Sequence, residues 1–265
     1  MPEGDTVRLA ASRLHRALAD QVVLRSDFRV PQHATADVAG ARVLDFSSYG
    51  KHLLCRFDSG LTLHTHLRMD GSWHLLAPGR RPVARLDSDV RVVLLAGSGT
   101  TAVGLRLPVV DLVPTSAESA LIGHLGPDIL APDFDEAEAV RRLTAGAGRP
   151  AVAALLDQRN LAGIGNMWAG ETLFLRGVHP WTAIDEVDAT GLVRLARRMM
   201  TYALTHPGQV TTGDTRRGQT HWVYGRAGQP CRRCGTAIAL RRPAGGDPYE
   251  RETWWCPSCQ PERCA

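Results

Sequence analysis

Lysine is almost missing from this 265-residue chain: of 31 basic residues, only Lys51 is not arginine. The chain is also rich in alanine and glycine, so the scarcity reflects a compositional bias towards arginine. A lone lysine in that background raises the question of what arginine could not do there. Lysine carries a compact ammonium with three rotatable donors, whereas arginine is a wide planar fork. Long uncharged apolar runs are absent too, which argues against a membrane-spanning helix. The first 30 residues carry charges throughout, so no secretory leader is expected. Six cysteines in a chain of this length do not make a secreted disulfide scaffold, and a cytosolic setting is the default. No internal repeat or low-complexity tract is present. The length leaves room for two or three domains with real cores.

Net charge is only +4, and its distribution is more informative than its total. Residues 214–265 hold nine arginines against five acidic residues, so the first 213 residues balance to zero. A basic tail segment is an electrostatic footprint suited to nucleic acid, with a solvated arginine-rich surface as the alternative.

The stretch Met1-Pro2-Glu3-Gly4 carries candidate chemistry. Methionine before a small residue is normally clipped, leaving Pro2 as a secondary amine. A free α-amino group titrates near ~8, so a useful fraction is unprotonated at neutral pH. Such an amine can attack a sugar C1′ and form a Schiff base. Glu3 is the nearest carboxyl able to move protons beside it. A frayed terminus is the competing reading.

Asp5 or Thr6 is expected to cap a helix running to Leu18, with Val7, Ala10, Ala11, Leu14, Ala17 and Leu18 on the helical period. Strands are expected at 22–27, 42–47, 51–57, 61–67, 72–76, 90–95, 101–105 and 109–113. Asp58-Ser59-Gly60 marks a hairpin. Short strands at this spacing imply a β-sandwich, with Lys51 at the entry to a strand. From about 115 the pattern turns helical. Helices are expected at 134–143, at 150–158 with Pro150 in the first turn, at 166–175 ended by Gly177, and at 189–205 before Pro207-Gly208.

Leu161-Ala162-Gly163-Ile164-Gly165-Asn166 precedes one of these helices. Gly163 and Gly165 would let the backbone approach an anion, the helix start would offer N–H groups, and Asn166 adds an amide donor. A tight helix–helix turn is the alternative. Cys231-Arg232-Arg233-Cys234 and Cys256-Pro257-Ser258-Cys259 are two CxxC pairs 21 residues apart. Four thiolates at that spacing suit one tetrahedral structural Zn²⁺, though the gap slightly exceeds the usual ribbon range. Metal binding would be coupled to folding of so short a segment. Cys55 reads as a packed apolar residue and Cys264 as a tail thiol. Arg251, five residues before Cys256, would lie near the tip of a finger hairpin, placed for a phosphate.

Taken together, Met1-Pro2-Glu3-Gly4, Gly50-Lys51, the blocks Leu155-Leu156-Asp157-Gln158 and Gly163-Ile164-Gly165-Asn166, and the four cysteines resemble the formamidopyrimidine-DNA glycosylase and endonuclease VIII family. The resemblance spans nearly the whole chain and looks closer to endonuclease VIII, its actinobacterial branch in particular. It implies an α+β multidomain fold. An N-terminal helix on a two-sheet antiparallel β-sandwich (1–120) would be followed by a helix–two-turn–helix domain (121–222) and a C-terminal four-cysteine zinc finger (223–265). It further implies Pro2 as nucleophile, Glu3 as general acid/base, and Lys51 as phosphate holder or aid to sugar opening. Asn166 and Arg251 would hold phosphate, and Met69, in His66-Leu67-Arg68-Met69-Asp70-Gly71, would fill the space left by a flipped base. A methionine between two strands can equally be core.

The implied activity is excision of oxidised pyrimidines from damaged double-stranded DNA, followed by β,δ-elimination. The implied protein is a bacterial cytoplasmic, nucleoid-associated monomer with one structural zinc, no small-molecule cofactor and no membrane partner. The same chemistry on oxidised guanine, or a non-catalytic zinc-ribbon DNA binder, are the competing readings. Two departures stand out. Asp5-Thr6 replaces the usual Pro-Glu, and the Asp-Pro-Arg-Arg-Phe loop of the guanine-directed branch is not found near 105–113.

Overall fold

A computed structural model describes residues 2–80, 84–206, 208–244 and 249–262. Cys264 and Pro207 lie outside them. The chain divides into two compact units, Met1–His124 and Leu125–Ala265.

In the first unit, helix α1 (Gly4–Leu18) buries Val7, Ala11, Leu14 and Leu18, the stripe expected from its spacing. Its cap is Glu3, with extended backbone, and not Asp5 or Thr6. Asp5 instead lies in the first turn, where a carboxylate suits the positive end of the helix.

Eight strands follow: β1 (Val23–Phe28), β2 (Val43–Tyr49), β3 (His52–Phe57), β4 (Leu61–His66), β5 (Ser72–Leu76), β6 (Val90–Ala96), β7 (Thr101–Leu105) and β8 (Val109–Pro114). They form two antiparallel four-stranded sheets, ordered β1-β6-β7-β5 and β2-β3-β4-β8. Strict alternation shows best in β6, where Val90, Val92, Leu94 and Ala96 are buried and the residues between them are not. Phe28, Val92 and Leu94 of one sheet share a core with Phe46, Leu53, Phe57 and Leu63 of the other and with the α1 stripe. Cys55 is fully buried in that core, as expected for a packed apolar residue.

The Asp58-Ser59-Gly60 hairpin forms between β3 and β4, with Gly60 at φ +75°. Arg56 leaves β3 to meet both carboxylate oxygens of Glu118 at 2.6 Å. This pins the short helix α2 (Glu118–Ile122) to the sheet.

The second unit holds α3 (Glu136–Thr144), α4 (Ala151–Leu156), α5 (Asn166–Arg176) and α6 (Ala189–Ala203). Side-chain caps set two starts: Asp135 accepts from the Glu138 N–H and Asp188 from the Gly191 N–H. Pro150 is the cap of α4 and not part of its first turn. Gly177, left-handed at φ +67°, ends α5 as its position predicts. Trp168 is fully buried among Leu143, Leu155, Leu173, Ile184 and Val193, and each such large side chain contributes about 2–3 kcal/mol.

A two-stranded antiparallel ribbon, β9 (Ala239–Arg241) and β10 (Thr253–Trp255), completes the unit. Its small core of Val223, Ile238, Cys231 and Cys256 closes on Phe174 of α5. Glu171, one turn earlier on α5 and fully buried, ties the two together. Its carboxylate accepts the backbone N–H groups of Trp222, Val223 and Tyr224 at 2.8–2.9 Å, and also the Thr211 hydroxyl. Among the described residues, no helix is long and apolar enough to cross a membrane.

Candidate functional site

Pro2 is part-exposed, whereas the next residue, Glu3, is fully buried and its carbonyl accepts the Val7 N–H at 3.0 Å. Asp5 is buried beside it at 2% exposure. Glu3 is therefore fixed as the cap of α1, with Pro2 directly before it.

Tyr49 pairs with His52, so Gly50-Lys51 is a two-residue hairpin loop between β2 and β3. Lys51 thus belongs to the turn, and β3 begins one residue later than expected. Gly50 takes φ +56° and Lys51 does not, the arrangement of a turn with glycine at its first central position. A short, strand-anchored turn allows the lysine backbone little freedom.

Met69 sits in the loop between β4 and β5, with 63% of its surface exposed. Arg68 is left-handed at φ +46°, and the Gly71 N–H returns to the Leu67 carbonyl at 2.8 Å. A Cβ at Gly71 would meet that carbonyl oxygen at 2.5 Å, so glycine is required for the loop to close. Met69 is not core.

The inner strands β3 and β4 carry a histidine array at the end of the sheet next to Lys51. Register places His52 opposite His66, Leu54 opposite His64, and His64 opposite Asp111. His52 Nδ1 lies 2.8 Å from His64 Nε2, and His64 Nδ1 lies 2.9 Å from Asp111 Oδ2. The His66 Nδ1 accepts the Arg68 N–H at 2.9 Å. Burial depresses His52 to about 3, helped by His66, His64, His124 and Lys51. Burial likewise lowers His66 to about 4, with Lys51, His64 and Arg68 adding to it. Both imidazoles are neutral at neutral pH.

In the second unit, the loop before α5 is held from inside. The Gln158 amide donates to the Leu156 and Ile164 carbonyls at 3.0 and 2.9 Å, and its oxygen accepts the Gly163 N–H at 3.0 Å. Gly163, at φ +104°, therefore spends its N–H on Gln158 and not on an outside anion. Gly165 is the N-cap of α5.

Asn166, the first residue of α5, donates its side-chain amide to the Glu252 carbonyl at 2.8 Å. The residue before Glu252 is Arg251, exposed and two residues ahead of β10. The structure thus brings together Asn166 and Arg251, which are far apart in sequence. Beneath the loop, burial alone would raise the Asp157 carboxyl. Hydrogen bonds from the Arg159 side chain and N–H and from Arg149 hold it well below the usual carboxylate range.

The Sγ atoms of Cys231, Cys234, Cys256 and Cys259 all lie within 4.8 Å of one another. Cys231 and Cys259 are 3.9 Å apart, and Cys234 and Cys256 are 3.4 Å apart. Tetrahedral zinc thiolates, with Zn–S near about 2.3 Å, place sulfurs about 3.8 Å apart. The Arg233 and Cys259 N–H groups point at Cys231 and Cys256 sulfurs at 3.4 Å, as donors to thiolates do. The set fits one metal ion.

Sequence reasoning quoted Gln158 without giving it a role and passed over Glu171, His52, His64 and Asp111. Glu171 had one signal, being the only carboxylate in its helix and flanked there by Trp168, Leu173 and Phe174. The histidines had none, because cross-strand register is what joins them.

Residues 1–106 match the family model for the formamidopyrimidine-DNA glycosylase N-terminal domain, and residues 125–212 match that for the H2TH domain of the same proteins. The chain is 50% identical to the "Probable endonuclease 8 2" of Streptomyces coelicolor, over 98% of this chain and 94% of that protein. It is 42% identical to the "DNA-(apurinic or apyrimidinic site) lyase Nei2" of Mycolicibacterium smegmatis, over 98% and 99%. Among solved structures, the MutM (Fpg) protein of Thermus thermophilus superimposes with a TM-score of 0.77 at 29% identity, covering 99% of this chain and 100% of that one. A Lactococcus lactis Fpg complex with abasic-site DNA shares the fold at a TM-score of 0.80 and 22% identity, over 98% and 100%. With both family domains matched and half of its residues shared with an endonuclease 8 protein over nearly its full length, the chain belongs to the formamidopyrimidine-DNA glycosylase and endonuclease VIII family.

Proposed function

We propose that this protein is a bifunctional DNA glycosylase and AP lyase of base excision repair, acting on oxidised pyrimidines in damaged double-stranded DNA. The observation that carries the reading is Pro2, part-exposed and set directly before a fully buried Glu3 at the start of α1, in a chain with both family domains. The endonuclease 8 relatives favour a pyrimidine lesion over guanine.

A base stacked in duplex is out of reach of Pro2, so the nucleotide must first be flipped out. The proline nitrogen then attacks C1′ as the C1′–base bond breaks, and the base leaves with a proton. Ring opening gives an iminium cation between Pro2 and the sugar, with Glu3 moving protons at the sugar oxygen. The cation acidifies the C2′ hydrogen; its loss expels the 3′ phosphate, and a second elimination expels the 5′ phosphate. Water then hydrolyses the imine and regenerates Pro2.

Lys51 holds phosphate or assists sugar opening, Asn166 and Arg251 hold backbone phosphates, and Met69 fills the vacated stack. Gly163 and Gly165 shape the α5 entrance so that Asn166 faces the backbone. One zinc ion held by Cys231, Cys234, Cys256 and Cys259 supplies structural stability to the finger and no chemistry. The working segments are 1–120 for chemistry, 121–222 for DNA binding and 223–265 for the finger. The setting is a bacterial cytoplasm, on the nucleoid, as a monomer.

Borohydride reduction tests the reading. With abasic or dihydrouracil duplex it should trap a covalent adduct whose peptide map places the DNA on Pro2. A chain with one residue retained before Pro2, which turns its nitrogen into an amide, should trap nothing. No adduct from the native chain would defeat the enzyme, and preferential turnover of oxidised guanine would redirect the substrate.

A further inference from the structure

The finger segment reaches the helical part of its unit at two places, one on each side of Arg251. Residues 249–252 lie beyond the β9–β10 ladder, whose last pair is Arg241 with Thr253. Glu252 is one anchor, its carbonyl accepting the Asn166 side-chain amide at 2.8 Å. Tyr249 is the other. Its ring is covered by the guanidinium of Arg149 at 5.0 Å and by that of Arg159 at 5.6 Å, and its hydroxyl donates to Asp157.

The seat under Tyr249 is firm without the tyrosine. The Asp157 side chain is 2% exposed. Its carboxylate accepts Arg149 Nη1 at 3.0 Å, Arg159 Nε and Nη2 at 2.9 and 2.7 Å, and the Arg159 backbone N–H at 3.0 Å. A carboxylate gripping two guanidinium groups fixes where both cations lie, and the face of an aromatic ring complements fixed cations. Tyr249 and Arg251, two residues apart, line one cleft with Pro150 and Trp181.

We propose that Tyr249, seated on Asp157 and covered by Arg149 and Arg159, is a positioning residue for Arg251, holding the finger tip so that Arg251 meets a DNA phosphate already oriented. The proposal rests on the reading of Arg251 as a phosphate holder. A guanidinium on an unanchored tip must be ordered at the moment of binding, and that ordering weakens affinity. With Tyr249 seated before Arg251 and Glu252 tied after it, the ordering is completed by folding. In this role Tyr249 needs no contact with DNA and brings no charge. Its contribution enters through preorganisation alone.

Binding of the zinc-loaded full chain to duplex carrying a tetrahydrofuran abasic analogue tests this. Such a site cannot form an imine, so it reports grip without chemistry. Arg251→Ala should weaken binding and lower the slope of log affinity against log salt by about one, as loss of one phosphate contact does. Tyr249→Ala should weaken binding about tenfold at the native salt slope, since every charge remains. Tyr249→Phe keeps the ring against the guanidinium groups, loses one hydroxyl and should cost about threefold. In an Arg251→Ala background neither change at Tyr249 should cost anything further.

A Tyr249 loss that persists in full after Arg251→Ala would make Tyr249 a merely structural residue and overturn the proposal. A shallower salt slope in Tyr249→Phe would also overturn it, because the cations of the seat would then be touching DNA themselves. If Tyr249→Ala does not fold, the phenylalanine variant decides alone. Failure of the underlying reading looks different: Arg251→Ala would leave both affinity and slope unchanged, and the positioning role would fall with it.

Discussion

Met69 is a large apolar side chain held in water by a glycine-closed loop, and its removal should separate stability from function. Little of it is buried, so Met69→Ala should shift folding stability by no more than about 0.5 kcal/mol in urea titration. Excision from duplex should slow markedly while scission of a single-stranded abasic site is spared, because only a duplex has a void to fill. Equal loss on both substrates would sink the wedge assignment. At this scale the sequence was partly legible. The residue type and its loop were readable, but a methionine between two strands is compatible with core or surface. Only the left-handed Arg68 and the closure at Gly71 turn it outward. Cys55 was readable outright, since a thiol in a strand next to Leu53 and Leu54 behaves as one more packed apolar residue. The partnership of His52 with His64 was not, because it depends on the register between two strands.

Among the elements, α5 does most to organise its unit. Its N-terminus carries Asn166, its middle carries Glu171 and its end packs Phe174 under the ribbon. Glu171→Ala would leave three backbone N–H groups without their acceptor. At about 1–3 kcal/mol for each stranded buried group, the loss should be several kcal/mol. Thermal melts should show it as early loss of ribbon structure, with tryptophan emission reporting through Trp222 and Trp254. A variant as stable as the native chain would mean that water replaces the carboxylate. Helix positions were legible where capping chemistry is local, as at Gly177. They were misjudged where it is not. Glu3 caps α1 without a side-chain bond, so Asp5 and Thr6 looked better on paper. The glycine loop before α5 reads in sequence as open N–H groups, but Gln158 had already claimed one of them.

Across the whole molecule, the depressed imidazoles predict how stability follows pH. Below about 6.5 the unfolded chain protonates His52 and His66, while the native chain refuses those protons until about 3 and about 4. This contribution is complete above pH 6.5 and is lost progressively as pH falls towards those values. Urea midpoints should therefore fall between about pH 6.5 and about pH 5, a window above the carboxylate range. His52→Gln combined with His66→Gln should flatten that slope; an unchanged slope would place the effect elsewhere. The division into a strand-rich first part and a helical second part was legible from periodicity alone. The strand order β1-β6-β7-β5 was not, because alternation reports which face is buried and not which strand lies alongside.

The hairpin loop at Gly50-Lys51 has a practical consequence. With no second lysine anywhere in the chain, reductive methylation or an acylating dye meets a single side-chain amine, fixed on a two-residue turn. A ¹³C-methyl tag placed there needs no mutagenesis, and its two methyls on a primary amine are distinguishable from the single methyl that the Pro2 secondary amine can accept, so one of two signals reports from the turn beside the histidine array.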